Sequence, residues 1–472
     1  MVFIRYKKFG QQEYAYEVTA YWNPKTKMPC QKTRYLGVVV DKKNKIFEKK
    51  AQKAKPEKLI LDFGDAYLFG AFMGKSWLAP MLGSAVGDSA ETLMALISYK
   101  LCHCSAMRYA EQWFEGSYAK MLYKNANVCS QRISDFLASI GDENVQRRFF
   151  SDYIARISGA KKGIVIDATS LPNQIHMPQS AWGLSGEEID KQIRFLLVVD
   201  KDSSMPLFFR SLPGNIVDVS ALRATLDELQ QFGVKESYAY LDAGFFSENN
   251  IKEMYQRKVQ FLTRLPAIRQ LYKELIGSEV DCLEAVRNVV RYGERVLFVK
   301  EKKVDLFGNE AYAYIVLDPE RKGREIRKLM SQAIDEKDSN EDLEYEFSKR
   351  GVMILVSSSH MSRHDAVPAY YIRQTAEMMF GFSKDDLGIL PLRVHKEETL
   401  RGLLFLQFVS LIAFIQFRNA LGKKRTVEEA LLTMRNLKCK VYDNETIVSE
   451  LTRKQKEISE SLNIIVPKSL GV

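Results

Sequence analysis

Lys162-Gly163-Ile164-Val165-Ile166-Asp167-Ala168-Thr169-Ser170 is a short apolar run, rich in β-branched residues, that meets an acid. Its length and composition predict a buried strand. A carboxylate at the end of such a strand is costly unless it is paired or bound to a metal. The same grammar returns at Ser237-Tyr238-Ala239-Tyr240-Leu241-Asp242-Ala243-Gly244-Phe245-Phe246, where a second apolar strand ends in Asp242. Between the two lie strands over 193–199 and 206–210, a turn at Pro213-Gly214-Asn215, and a helix over 220–232 stopped by Gly233. A helix over 247–258 and a strand over 259–265 follow. For either Asp alone, a turn or capping role is a competing reading. Both together, in this order, favour a shared site.

A third acid stands far downstream, in Ala369-Tyr370-Tyr371-Ile372-Arg373-Gln374-Thr375-Ala376-Glu377, which runs on to Gly381 and Lys384. Read as a helix, with about 100° per residue, Glu377 returns to within about 20° of Tyr370. Arg373 lies on the same side, four residues before Glu377. A phenol, a guanidinium and a carboxylate then share one face. A carboxylate can hold a metal ion, and Arg, Lys and Tyr can hold phosphate oxygens. The plainer reading is a surface ion pair between Arg373 and Glu377 worth about 0.3–0.5 kcal/mol.

The order of three strands, helix, strand, helix, strand, with acids on the first and fourth strands, resembles an RNase H-like core. The expected fold class is α/β: a mixed sheet flanked by helices with a β-rich insertion, a basic N-terminal β segment and a helical DNA-binding region. The expected division is 1–58, basic and β-rich; 59–160, helical; 161–266, first part of the core; 267–350, inserted subdomain; 351–422, second part of the core with the Glu377 helix; and 423–472, a helical cap. In the insertion, 295–300 and 311–317 predict a hairpin, and 318–350 a solvated helix pair. Residues 397–421 predict a long apolar helix packed beneath the sheet. Helices over 59–160 include one that Gly141 would stop. Their pattern fits a helix-turn-helix reader no better than ordinary helical packing.

The chain carries a net charge of +10 over 472 residues, and the charge is localised. Residues 1–58 hold 15 Lys/Arg against 5 Asp/Glu, and the remainder is neutral overall. Basic residues interleaved with Tyr and Trp suit contact with a DNA backbone; a solvated, Lys-protected edge sheet is the competing reading. A turn is expected at Asn23-Pro24 and a charged linker over 42–58. Cys102-His103-Cys104 has no matching downstream pair at zinc spacing and reads as packed thiols in a reducing cytoplasm. The N-terminal residues do not read as a signal peptide.

Tyr370, two residues, Arg373, three residues, Glu377, six residues and Lys384 match the Y-(2)-R-(3)-E-(6)-K signature of bacterial DDE-type insertion-sequence transposases, the "IS-four"-like group. Asp167 and Asp242-Ala243-Gly244-Phe245 resemble that family's first two acidic motifs. The resemblance covers roughly 160–422, and the family's β-rich insertion fits residues 267–350. It implies that Asp167, Asp242 and Glu377 are catalytic and hold two divalent ions, Mg²⁺ with Mn²⁺ as a substitute. Tyr370, Arg373 and Lys384 would contact DNA phosphates. The implied partners are double-stranded DNA, as terminal inverted repeats and target, and a second copy in a synaptic homodimer. The implied location is cytoplasmic, at the nucleoid when bound to DNA. The implied reaction cleaves element ends and joins their 3′ ends to target DNA. A nuclease without strand transfer and an inactive DNA-binding remnant are the alternatives. Trp182 could stack on a displaced base, though core packing is the expectation. Arg373→Ala is expected to weaken DNA handling while leaving metal binding intact.

Overall fold

The computed structural model describes residues 2–9, 12–23, 28–49, 59–157, 162–185, 188–215, 218–234, 236–333 and 340–471. The turn expected at Asn23-Pro24 and most of the expected linker lie outside them. The contacts divide the chain into two units, residues 1–59 with 442–444 and residues 60–441 with 445–472.

The first unit is an antiparallel meander of β1 (Val2–Phe9), β2 (Gln12–Asn23), β3 (Met28–Asp41) and β4 (Ile46–Glu48). Cross-strand pairing places Arg5 and Lys7 opposite Tyr16 and Tyr14, and Tyr16 opposite Tyr35. The Tyr16 and Tyr35 rings lie 5.4 Å apart, and the Lys7 ammonium sits 5.6 Å from the Tyr16 ring centre. Such pairs are what stabilises a sheet too thin for a core of its own.

The second unit is built on a ten-stranded mixed sheet. Ahead of it come β5 (Leu59–Asp62) and a series of helices. The sheet strands are β6 (Lys162–Pro172), β7 (Ala181–Ser185), β8 (Glu188–Asp200), β9 (Pro206–Pro213), β10 (Glu236–Leu241), β11 (Gln260–Arg264), β12 (Val289–Tyr292), β13 (Arg295–Asp305), β14 (Glu310–Leu317) and β15 (Val352–Ser357). Their order is β12-β13-β14-β15-β11-β10-β6-β8-β7, with β9 also on β8. The central three, β6, β10 and β11, are parallel. They are joined through the helices Asp218–Gln231, before β10, and Glu248–Arg257, before β11. Parallel strands are covered on both faces, which is why Ile164, Val165, Ile166, Ala239 and Leu241 form unbroken buried runs. The expected hairpin of the insertion exists as β13 and β14, but it forms no separate sheet. It pairs through β15 onto β11 and extends the central sheet.

β6 does not stop at Asp167, as the run of apolar residues suggested. It continues to Pro172 along β8, with Asp167 opposite Leu197. What stops at Ile166 is the pairing with β10.

The predicted long helix is Glu397–Leu421, and its apolar side chains are buried almost throughout. It is long and apolar enough to cross a membrane, yet 89% of that stretch is buried within the protein. It packs on β9 and on the helices Ala90–Cys102 and Ser130–Ile140. Gly141 follows the last of these, but in right-handed conformation rather than the left-handed stop expected. Its role is close approach. A Cβ there would lie 2.1 Å from the Glu398 carbonyl oxygen, and one on Gly402 would lie 1.7 Å from that of Leu137. Backbone cannot yield as a side-chain tip does, so Gly402→Ala is expected to cost about 2 kcal/mol, measured by urea unfolding.

The C-terminal segment holds β16 (Lys438–Val441), β17 (Glu445–Val448) and β18 (Ser469–Gly471), which form a small sheet with β5. Arg435 pairs with the buried Asp65 at 3.0 Å, tying this end of the chain to the helical region.

Candidate active site

The register of the parallel strands builds the site. Ile166, Leu241 and Thr263 share the last paired row of β6, β10 and β11. The next residue on each strand is Asp167, Asp242 and Arg264. Two carboxylates therefore stand side by side just past the last paired row of β6 and β10. Asp242 begins a single 3-10 turn (Ala243–Phe245) and makes no side-chain cap bond, so its carboxylate is not spent on capping.

The third acid arrives on a segment that is not one helix. The helix Arg363–Tyr371 ends, and Gln374–Gly381 begins after Arg373. The joint is tightened by i→i+3 bonds, Arg373 N–H to the Tyr370 carbonyl at 3.1 Å and Ala376 N–H to that of Arg373 at 2.9 Å. Short 3-10 stretches of this kind mark functional joints. Ala376, Met379 and Phe380 seat the second helix, which packs on β6 and β8 and leaves Glu377 exposed.

All three acids meet at one cation. Arg373 Nη1 lies 2.9 Å from Asp167 Oδ2, Nε 3.7 Å from Asp242 Oδ1, and Nη2 2.7 Å from Glu377 Oε1. The surface pair expected between Arg373 and Glu377 is present, but as one arm of a four-residue cluster. The cluster grades outward. The Asp167 side chain is 10% exposed, that of Asp242 38% and that of Glu377 50%.

Tyr370 is buried, and its hydroxyl donates to Asp242 Oδ1 at 3.2 Å. The phenol expected to contact DNA is thus hydrogen-bonded to one of the acids. Burial, reinforced by the Asp242 charge, pushes its phenol up to about 12, so it remains a donor. Lys384 lies in a π-helical turn, Phe382–Asp386, and donates to Thr169 Oγ1 at 2.8 Å. Burial pushes its ammonium pKa down. Thr169 and Arg264 are the residues that sequence reading missed. Thr169 was findable, since two residues along a strand from Asp167 returns to the same face. Arg264 required the register of β10 and β11. Trp182, expected in the core, is 60% exposed, with the Lys191 ammonium 5.7 Å from its ring centre. In the Cys102-His103-Cys104 trio, Cys102 is buried and Cys104 exposed.

Among the described residues, no three His, Cys, Asp or Glu side chains converge closely enough to hold a metal ion as they stand. The guanidinium fills the space between the carboxylates, a +1 charge where a hard dication would find carboxylate oxygens on three sides. The donor set fits Mg²⁺ or Mn²⁺, on condition that Arg373 gives way.

Burial pushes the Asp167 carboxyl up, to about 7; Arg373 opposes the shift, and Asp242 and Glu377 add to it. In the metal-free protein the folded state therefore keeps a proton that the unfolded chain has released above about pH 4. Asp167's contribution to stability is full below that value and is lost as pH rises towards 7. Divalent cations need the ionised form. Their apparent affinity is expected to level off above pH 7 and to fall by up to about tenfold per pH unit below it, measured by calorimetric titration of Mn²⁺ at constant ionic strength.

Residues 158–413 match the family described as "Transposase DDE domain". No curated protein gives a significant match. Among solved structures, the cryo-EM structure of a piggyBac transposase synaptic complex with hairpin DNA aligns at 10% identity with a TM-score of 0.38, covering 84% of this chain and 70% of that one. The family match spans rather more than half of the chain. It contains Asp167 and Asp242, the helix that brings Glu377 to them, and the guanidinium on which all three acids meet. The chain belongs to the DDE-domain transposases.

Proposed function

We propose that the protein is the DNA transposase of a bacterial insertion sequence, with an RNase H-like catalytic core, and that it cleaves element ends and joins the freed 3′ ends to target DNA. The observation that carries this is the convergence of Asp167, Asp242 and Glu377 on one guanidinium, just past the last paired row of the parallel strands. Two divalent cations held by these carboxylates would activate the attacking oxygen and stabilise the leaving one. Asp167 supplies the least hydrated carboxylate and fixes the floor of the site. Tyr370 orients Asp242 through its hydroxyl. Arg373, released from the acids, is free to take a DNA phosphate in a bidentate grip. Lys384, held by Thr169 beside Asp167, offers a second cation to the backbone. Water opens the phosphodiester at the element end and leaves a 3′-hydroxyl; that hydroxyl then attacks a target phosphodiester, loses its proton and displaces the target strand's own 3′-oxygen, which leaves as a 3′-hydroxyl. Membership of the "IS-four"-like group is supported by the full spacing of Tyr370, Arg373, Glu377 and Lys384. The synaptic homodimer and the cytoplasmic, nucleoid-bound location follow from that resemblance.

The test is incubation with DNA carrying the sequences that flank the coding region, Mg²⁺, and a target plasmid. End cleavage with joined products is expected. Cleavage without joining would leave a nuclease, and neither product would overturn the reading.

A further inference from the structure

Away from the acids, a cleft of about 330 Å³ opens between the helix Ser130–Ile140 and the loop 388–394 that follows the Lys384 turn. Its lining holds three cations, Lys100, Arg108 and Arg393, together with Ser105, Ser130 and Ser134, and no carboxylate. Lys100 forms the floor. It is 4% exposed, and its ammonium donates to the Leu387 carbonyl at 2.9 Å and reaches that of Gly388 at 3.5 Å. A buried lysine is normally matched by a carboxylate; among the described residues this one has only neutral carbonyls, and an ammonium has three donors. Burial pushes its pKa down to about 8, which leaves it mainly charged at neutral pH.

Arg108 and Arg393 are exposed at the rim. Neither has a carboxylate partner among the described residues. Arg108 donates only to the neighbouring Tyr109 hydroxyl, at 2.6 Å. Arg393 adopts φ +51°, a left-handed conformation uncommon for a residue with a side chain. Strain of this kind gathers at ligand sites. Ile133, Leu137 and Leu392 give the cleft apolar walls.

We infer that this cleft binds a phosphate-bearing ligand, and that in the working protein the ligand is a backbone phosphate of DNA. Three uncompensated cations around a neutral floor fit a phosphodiester oxygen on charge, and the apolar walls fit the adjoining sugar. The volume lies at the lower end of small-molecule sites, which also admits a free phosphorylated ligand. The DNA assignment rests on the proposed function; the phosphate chemistry does not. Because Lys100 holds the Leu387 carbonyl, occupancy would be felt in the segment that carries Lys384.

The experiment uses the full chain and two probes, a labelled duplex of arbitrary sequence and inorganic pyrophosphate. The variants are Arg108→Ala with Arg393→Ala, and Arg132→Ala as an exposed cation on the same helix outside the cleft. The double variant is expected to bind duplex about tenfold more weakly, with a logarithmic salt slope shallower by about 2, and Arg132→Ala to change neither by as much. Lys100→Met should act in the same direction; if it fails to fold, the rim pair still decides. Unchanged duplex binding, with pyrophosphate bound by the wild type and lost in the double variant, would assign the cleft to a free phosphorylated ligand and support the phosphate chemistry. Unchanged affinity for both probes would overturn the inference. A wild type that neither binds nor cuts DNA, yet loses pyrophosphate in the double variant, would sink the transposase reading and leave the cleft standing.

Discussion

Asp167→Asn is expected to reduce cleavage of element-end DNA by about 10³-fold or more, some 4 kcal/mol in barrier. The amide keeps the shape of the carboxylate but loses the charge that a dication needs. Asp167 is the acid with least access to water, 7% exposed as a residue, so no hydroxide or buffer anion can replace it at the floor of the site. Asp242→Asn should lose a comparable amount: the amide oxygen can still accept from the Tyr370 hydroxyl, but the charge a dication needs is gone. Glu377→Gln stands at the open edge with its side chain half exposed, and solvent can take over part of its role. A loss of about 10²-fold is the expectation there. The measurement is single-turnover nicking with Mg²⁺, beside far-ultraviolet circular dichroism to show that each variant folds. Any variant that cuts at near wild-type rate removes its residue from the site.

These acids were legible in the sequence because each marks a change in local pattern. Ile164-Val165-Ile166 and Ala239-Tyr240-Leu241 are buried runs, and the charge after each run has only a few physical explanations. Tyr370, Arg373, Glu377 and Lys384 were legible through spacing alone. What spacing could not give is the state of the backbone between them. Arg373 sits at a tightened joint between two helices, so it does not hold the ideal helical angle assumed for it, and Lys384 sits on a π turn that its spacing did not reveal. Strand partners are set by contacts distant in sequence, which is why β13 and β14 read as a separate insertion and yet extend the central sheet. Arg264 enters the site through the register of β10 on β11 and leaves no mark in its own neighbourhood of the chain. Trp182 was misjudged because aromatic residues are mostly buried; here cross-strand contact with Lys191 holds the ring on an exposed hairpin.

Arg373→Ala carries the other large effect, and the geometry changes its sign for metal binding. From the sequence, Arg373 is a phosphate ligand whose loss leaves the metal site intact. In the folded protein its guanidinium is, among the described residues, the only cation in contact with all three acids. Its removal leaves a nearly buried carboxylate facing two others. Breaking a fully buried pair costs about 3–5 kcal/mol. Asp167 avoids part of this by holding its proton to higher pH, and Asp242 and Glu377 keep much of their hydration, so a loss of about 2 kcal/mol is expected for the metal-free variant in chelator. Divalent cations should then restore more stability to the variant than they add to the wild type, because they no longer compete with a tethered +1 charge. Calorimetric titration of Mn²⁺ should show tighter binding, and thermal unfolding a larger Mg²⁺-induced rise in Tm. Cleavage should nonetheless fall, since the variant lacks the guanidinium that would grip DNA. Arg373→Lys should sit between the two, because an ammonium cannot span three carboxylates as a planar fork does. Metal binding equal to or weaker than wild type in Arg373→Ala would mean that the guanidinium does not occupy the cation's place, and would return Arg373 to the role of a phosphate ligand that the sequence assigns it.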